Sequence, residues 1–175
     1  MPEQNPPDGA RVVLGAPHTS NFDFLLMLAL AWQGRLNIHW LGKRELFKGP
    51  GGPLMRALGG IAVDRKNPAG VVDRVLELAR SDDRFILVVT PEGSRTGTYW
   101  RSGFYRIARG AGLPVSLGYA DGSTRTAGIG PTITLTGDVA ADMEVIRDFY
   151  RDKSGVRTKY RIEPRMRDES GLPSS

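Results

Sequence analysis

The chain has 175 residues, 40% hydrophobic and 25% charged, with no cysteine and a formal net charge of +5. That suffices for one soluble domain with a real core, and the lack of cysteine excludes disulfides and thiolate chemistry. The polar, proline-rich start, Met1 to Ala10, argues against a secretory signal, and the longest mostly apolar run, Phe22–Trp32, is eleven residues where a spanning helix needs roughly 20.

In chain order, Arg11 to Ala16 (RVVLGA) reads as a buried strand ended by Pro17. Phe22 to Gln33 follows as a helix that is apolar nearly all round, with Gly34 near its stop. Asn37 to Leu41 predicts a second strand, and Gly49 to Pro53 a loop before one or two helical turns over Leu54–Leu58. Ile61 to Asp64 is a third short strand. Asn67 then offers a helix cap with Pro68 at the first helical position. Val71, Val72, Val75, Leu76 and Ala79 fall on one face, so 68–80 predicts an amphipathic helix.

Phe85 to Val89 (FILVV) is a continuous apolar run, the pattern of a central strand covered on both sides. Thr90 to Thr98 is a loop. Arg101 to Ala111 reads as a helix stopped by Gly112, and Pro114 to Tyr119 as a strand. Thr124 to Gly128 predicts a turn, Thr132 to Thr136 another strand, and Val139 to Tyr150 the last helix. Alternation of this kind argues for an α/β class, a single domain with a mixed, largely parallel sheet flanked by helices.

The charge is localised. Residues 35–66 carry seven basic against two acidic side chains, a net of +5, which equals the excess of the whole chain. A solvated basic face is the plain explanation, and a surface for phosphate esters or lipid head groups the functional one. No nucleic-acid motif accompanies the charge, so nucleic acid is not expected as a partner.

Two strand-to-helix loops concentrate the chemistry. In Pro17-His18-Thr19-Ser20-Asn21-Phe22-Asp23, Ser20 begins a capping box that places Asp23 in the first helical turn, just after His18. Asp23 can then accept from one ring nitrogen of His18 and leave the other free as a base. On its own the stretch reads first as a helix cap beside a surface histidine. Thr90-Pro91-Glu92-Gly93-Ser94-Arg95 follows the central strand, with Gly93 permitting close backbone approach and Arg95 a fork suited to phosphate. In such sheets ligands bind at the strand-to-helix loops, so both loops are placed to share one rim. His39, inside a strand beside Trp40, reads as a packed histidine, and no metal site is expected. Trp32, Trp40 and Trp100 read as core residues, with a membrane contact the alternative for Tyr99 and Trp100.

His18-x4-Asp23, Gly60-Ile61-Ala62-Val63-Asp64-Arg65 and Pro91-Glu92-Gly93-Ser94-Arg95 resemble, in order, three of the four sequence blocks of the lysophospholipid and glycerol-3-phosphate acyltransferases. The fourth block, usually carrying two prolines, is half kept in Leu113-Pro114-Val115-Ser116-Leu117. The resemblance implies transfer of a fatty acyl group from acyl-CoA or acyl carrier protein to a hydroxyl of a lysophosphatidate-like glycerophosphate. It makes His18 and Asp23 catalytic, and it assigns the acceptor phosphate to Arg65 and Arg95, with Glu92, Gly93 and Ser94 shaping that pocket. The acyl thioester is a co-substrate and no resident cofactor is implied.

With these readings, residues 1–10 are expected to be a flexible start, 11–160 the acyltransferase domain and 161–175 a flexible tail. The enzyme is expected in the cytoplasm, peripheral on an anionic membrane surface. A binding protein for lipid or acyl carrier, or a thioesterase using water, are the competing readings.

Overall fold

Six strands form one sheet in the computed structural model, which describes residues 9–19, 29, 34, 36–64, 67–92, 98–155, 157, 159 and 161–170. They are β1 (Arg11–Ala16), β2 (Ile38–Lys43), β3 (Gly60–Val63), β4 (Ile86–Val89), β5 (Val115–Asp121) and β6 (Thr126–Ile133). Their order is β3-β2-β4-β1-β5-β6. All neighbours run parallel except β5 and β6. The apolar runs explain the centre: Val12, Leu14, Leu87, Val115 and Leu117 are fully buried, as continuous apolar strands covered on both faces must be.

Four helices are described: α1 (Gly52–Ala57), α2 (Pro68–Ser81), α3 (Gly103–Ala111) and α4 (Val139–Tyr150), with a 3-10 turn at Arg44–Phe47 before α1. The local signals read from the sequence operate at their ends. Asn67 accepts from the Gly70 backbone N–H at 3.1 Å, a cap worth about 1 kcal/mol. Gly112 closes α3 in the left-handed conformation at φ 64°. The helix expected over Phe22–Gln33 lies outside the described residues.

α3 and α4 are joined by a buried polar network as well as by apolar packing. Asp142 accepts from the Tyr105 hydroxyl at 2.6 Å and from the Thr136 backbone N–H at 2.9 Å. Burial pushes the Tyr105 phenol up to about 12, with the Asp142 carboxylate adding to the shift. Burial opposes the charge on Asp142, yet the Tyr105, Thr136 and Gly137 donors prevail and hold its carboxyl below the usual range.

Two boundaries differ from the sequence reading. The last strand runs over Thr126–Ile133, not Thr132–Thr136, and the turn shrinks to the residues before Thr126. Its glycines and Pro131 disguise it, but pairing to β5 overrides local preference, and an edge strand tolerates proline. Residues 161–170, expected to be a flexible tail, return to the core. Met166 is buried beside Trp100, the Trp100 N–H donates to the Arg165 carbonyl at 2.8 Å, and Arg147 grips Glu169 at 2.9 Å. Scattered contacts do this without any periodic pattern: Met166 and Ile162 pack on the core, Arg161 donates to the Tyr150 and Lys153 carbonyls, and Arg147 pairs with Glu169. No helix among the described residues is long and apolar enough to cross a membrane.

Candidate active site

Strand register aligns the loops singled out in the sequence. Gly60, Trp40, Val88 and Val13 form one row across β3, β2, β4 and β1. Three residues further on, Val63 and Lys43 are still paired and Ala16 ends β1. Asp64, Pro91–Glu92 and Pro17–His18 therefore leave the sheet at one edge, the C-terminal rim where parallel sheets bind ligands. With strands about 4.8 Å apart, the loops after β4 and β1 are immediate neighbours, and the one after β3 lies roughly 10 Å from β4.

The two central loops are bonded to each other. The backbone N–H of His18 donates to Glu92 Oε2 at 2.5 Å. Glu92 is 2% exposed, and a charge-assisted bond of this kind is worth about 1.5–3 kcal/mol. The carboxylate of Glu92, expected from the resemblance to help shape the acceptor pocket, accepts from the backbone that carries His18. Within this loop Pro17 and Thr19 are buried and His18 is half-buried, with a cis peptide between Ala16 and Pro17. On the other side the Arg101 N–H donates to the Pro91 carbonyl at 2.7 Å, which fastens the exit of β4.

A third segment buttresses the His18 loop. Thr19, 1% exposed, accepts at Oγ1 from the Arg157 backbone N–H at 2.9 Å. Gly155 has φ 70° and presses so closely that a Cβ there would sit 2.6 Å from Thr19 Cγ2 and 3.2 Å from Pro17 Cβ. The segment is held by Asp121 at the end of β5, which accepts from the hydroxyls of Ser154, Thr124 and Ser123. The Ser154 hydroxyl above all, with the other donors, holds the Asp121 carboxyl well below the usual carboxylate range. The Gly122 N–H donates to the Gly155 carbonyl at 3.0 Å.

Tyr150, the last residue of α4, lies fully buried beneath this arrangement and donates to the Gly118 carbonyl of β5 at 2.7 Å. Burial raises its phenol well above the ordinary value, and the negative charge of Glu92 raises it further. The hydroxyl therefore stays a donor, and the Trp100 ring packs edge-on against Tyr150 at 5.6 Å.

Of the residues expected in the site, His18 and Glu92 are brought together. Asp23, Arg65, Gly93, Ser94 and Arg95 lie outside the described residues; Asp64, which precedes Arg65, is exposed at the rim. His39 stacks on Phe85 at 4.8 Å, and burial lowers its pKa, as expected of a packed histidine. Trp100 is 3% exposed and Trp40 half-buried, so Trp100 is core and not a membrane contact. Trp32 lies outside the described residues.

Sequence reasoning missed Thr19, Asp121, Tyr150, Ser154, Gly155 and Arg157. Only the Asp-Gly-Ser-Thr run after β5 hinted at its turn. The contact between positions 19 and 157 spans 138 residues and has no local signature.

The arrangement presents a histidine just after the C-terminal end of β1, held by a buried carboxylate and by a glycine-tight buttress. Neither a search of curated proteins nor one of solved structures returned a match. The family model described as Acyltransferase matches residues 2–116, which take in β1 to β4 with both central loops. The chain therefore belongs to the acyltransferase family.

Proposed function

We propose that the enzyme moves a fatty acyl group from a thioester, acyl-CoA or acyl carrier protein, to a hydroxyl of a lysophosphatidate-like glycerophosphate. His18 takes the proton of that hydroxyl as it attacks the thioester carbonyl, and the thiol leaves. Asp23 orients the imidazole and stabilises its cation. The acceptor phosphate is held by Arg65 and Arg95, with Gly93 and Ser94 in the same loop as Arg95. Glu92 serves as a positioning residue for the His18 backbone. No covalent acyl-enzyme is required, and the chain has no cysteine to form one.

The observation that carries this reading is the His18 loop itself: half-buried His18 between two buried residues, fastened to Glu92 of the loop after β4. Such rigidity suits a general base, which contributes typically 10²–10⁴-fold. Family membership supports acyl transfer as the reaction class.

The test pairs wild type and His18→Ala in a screen of acyl donors and glycerophosphate acceptors, with mass spectrometry of the lipid product. Wild type forms acylated product only when the acceptor is present, and His18→Ala loses at least about 10²-fold in turnover with an unchanged melting temperature. Wild-type turnover in the folded variant overturns the base assignment. Free fatty acid released at the same rate without acceptor makes the enzyme a thioesterase.

A further inference from the structure

Phe47 organises a surface that the site does not use. Its side chain, 5% exposed, packs on the Trp40 ring at 5.9 Å. Gly42 and Gly60 make the room: a Cβ on either would lie 2.7 or 2.8 Å from the Phe47 ring. In a 3-10 turn successive residues point in different directions, so with Phe47 inward its neighbour Leu46 faces out, 52% exposed. Buried Gly52 seats α1 in the same way, since a Cβ there would fall 2.3 Å from the Phe47 carbonyl oxygen. Leu54 is then left 58% exposed.

The stretch that carries these two leucines also carries Lys43, Arg44 and Lys48, all exposed and none in an ion pair among the described residues, with Glu45 its one acid. Arg56 has a structural task, donating to the Phe47 carbonyl at 3.3 Å and lying over its ring. Lys43 ends β2 opposite Val63, on the rim that carries His18 and Glu92. β2 and β1 are two strand spacings apart, roughly 10 Å.

We infer that the Lys43–Leu54 surface docks the enzyme onto an anionic lipid bilayer, its two leucines entering the interface while Lys43, Arg44 and Lys48 bind head groups. The inference rests on the proposed lipid acceptor. Charge complementarity selects the occupant: a basic, leucine-tipped surface beside the reaction rim matches anionic phospholipid. Docking there holds the rim within head-group reach of the bilayer, so an acceptor reaches His18 with its acyl chain still in lipid.

The test is flotation of the full chain with vesicles of phosphatidylcholine alone or with about 30% phosphatidylglycerol, at low and high salt. Wild type binds the anionic vesicles, and added salt weakens the binding. Each basic side chain contributes roughly fivefold, so Lys43→Gln/Arg44→Gln/Lys48→Gln together lowers partition about a hundredfold. Leu46→Ser/Leu54→Ser lowers it roughly tenfold, and either single substitution lowers it less, which serves if the double variant fails to fold. Turnover with a short-chain thioester and a water-soluble glycerophosphate stays at the wild-type level in all of them.

Equal binding to neutral and anionic vesicles, no binding, or unchanged binding by the folded variants overturns the inference. Capture of acyl carrier protein, with no vesicle binding and lost on the same substitutions, overturns it in favour of a protein partner. Failure of the catalytic reading would show separately, as absent wild-type turnover of the soluble substrates with vesicle binding intact.

Discussion

The His18 backbone N–H and the buried Glu92 carboxylate meet at 2.5 Å across 74 residues of chain. The His18 loop is thus held through its main chain by the first turn after the central strand, which leaves the imidazole out of this contact. A contact made through the main chain has measurable consequences.

Replacing Glu92 by Ala strands a buried N–H and opens space beneath the loop, so the variant should lose about 2–4 kcal/mol in urea unfolding. Glu92→Gln keeps an acceptor and should lose only about 1 kcal/mol. If Glu92 positions His18, kcat falls more than KM rises in Glu92→Ala, and Gln restores much of it. Equal kcat in both folded variants would remove Glu92 from the account of catalysis.

Gly155 and Thr19 form the second restraint. A Cβ at Gly155 meets Thr19 Cγ2 at 2.6 Å and the backbone sits at φ 70°, so Gly155→Ala should cost about 1–3 kcal/mol. Thr19→Val keeps the shape but takes away the acceptor of the Arg157 N–H, at about 1–2 kcal/mol. Both should lower kcat, because each loosens the chain on either side of His18. Thermal melts and steady-state kinetics on the two variants check this; full activity in Gly155→Ala would show that the buttress is dispensable.

Asp121 makes that buttress sensitive to acid. Its donors favour the ionised carboxyl, so its folded pKa lies below the ordinary value of 3.8. Above pH 3.8 both folded and unfolded chains carry the charge and the stabilisation is complete. As pH falls below 3.8 the unfolded chain takes up the proton first, and stability is lost progressively until the folded carboxyl also protonates. Asp121→Asn should therefore be less stable than wild type by about 2 kcal/mol at pH 7. The gap should narrow by pH 2.5 in guanidinium titrations; a constant gap between the two pH values would exclude this linkage.

Much of the molecule was legible because its causes are local. Continuous apolar runs announced β1 and β4, Asn67-Pro68 opened α2, and Gly112 closed α3. The strand that escaped, β6, is glycine-rich and owes its form to β5. Residues 161–170 escaped because isolated contacts hold them, among them buried Met166, the Arg161 hydrogen bonds and the Arg147–Glu169 pair.

The site divides in the same way. His18 and Glu92 stood out by residue type and position after apolar strands, and three spaced blocks pointed to the family that the chain proves to join. Spacing along a chain carries chemistry, since a base, a carboxylate and phosphate-binding arginines must occur in workable order. It carries no information on which atoms touch. Only the parallel register brought the loops after β1 and β4 to one rim, turned Glu92 onto the His18 backbone, and folded Gly155 against Thr19. Those contacts arise from closing the sheet and burying α4, and no local stretch of sequence contains them.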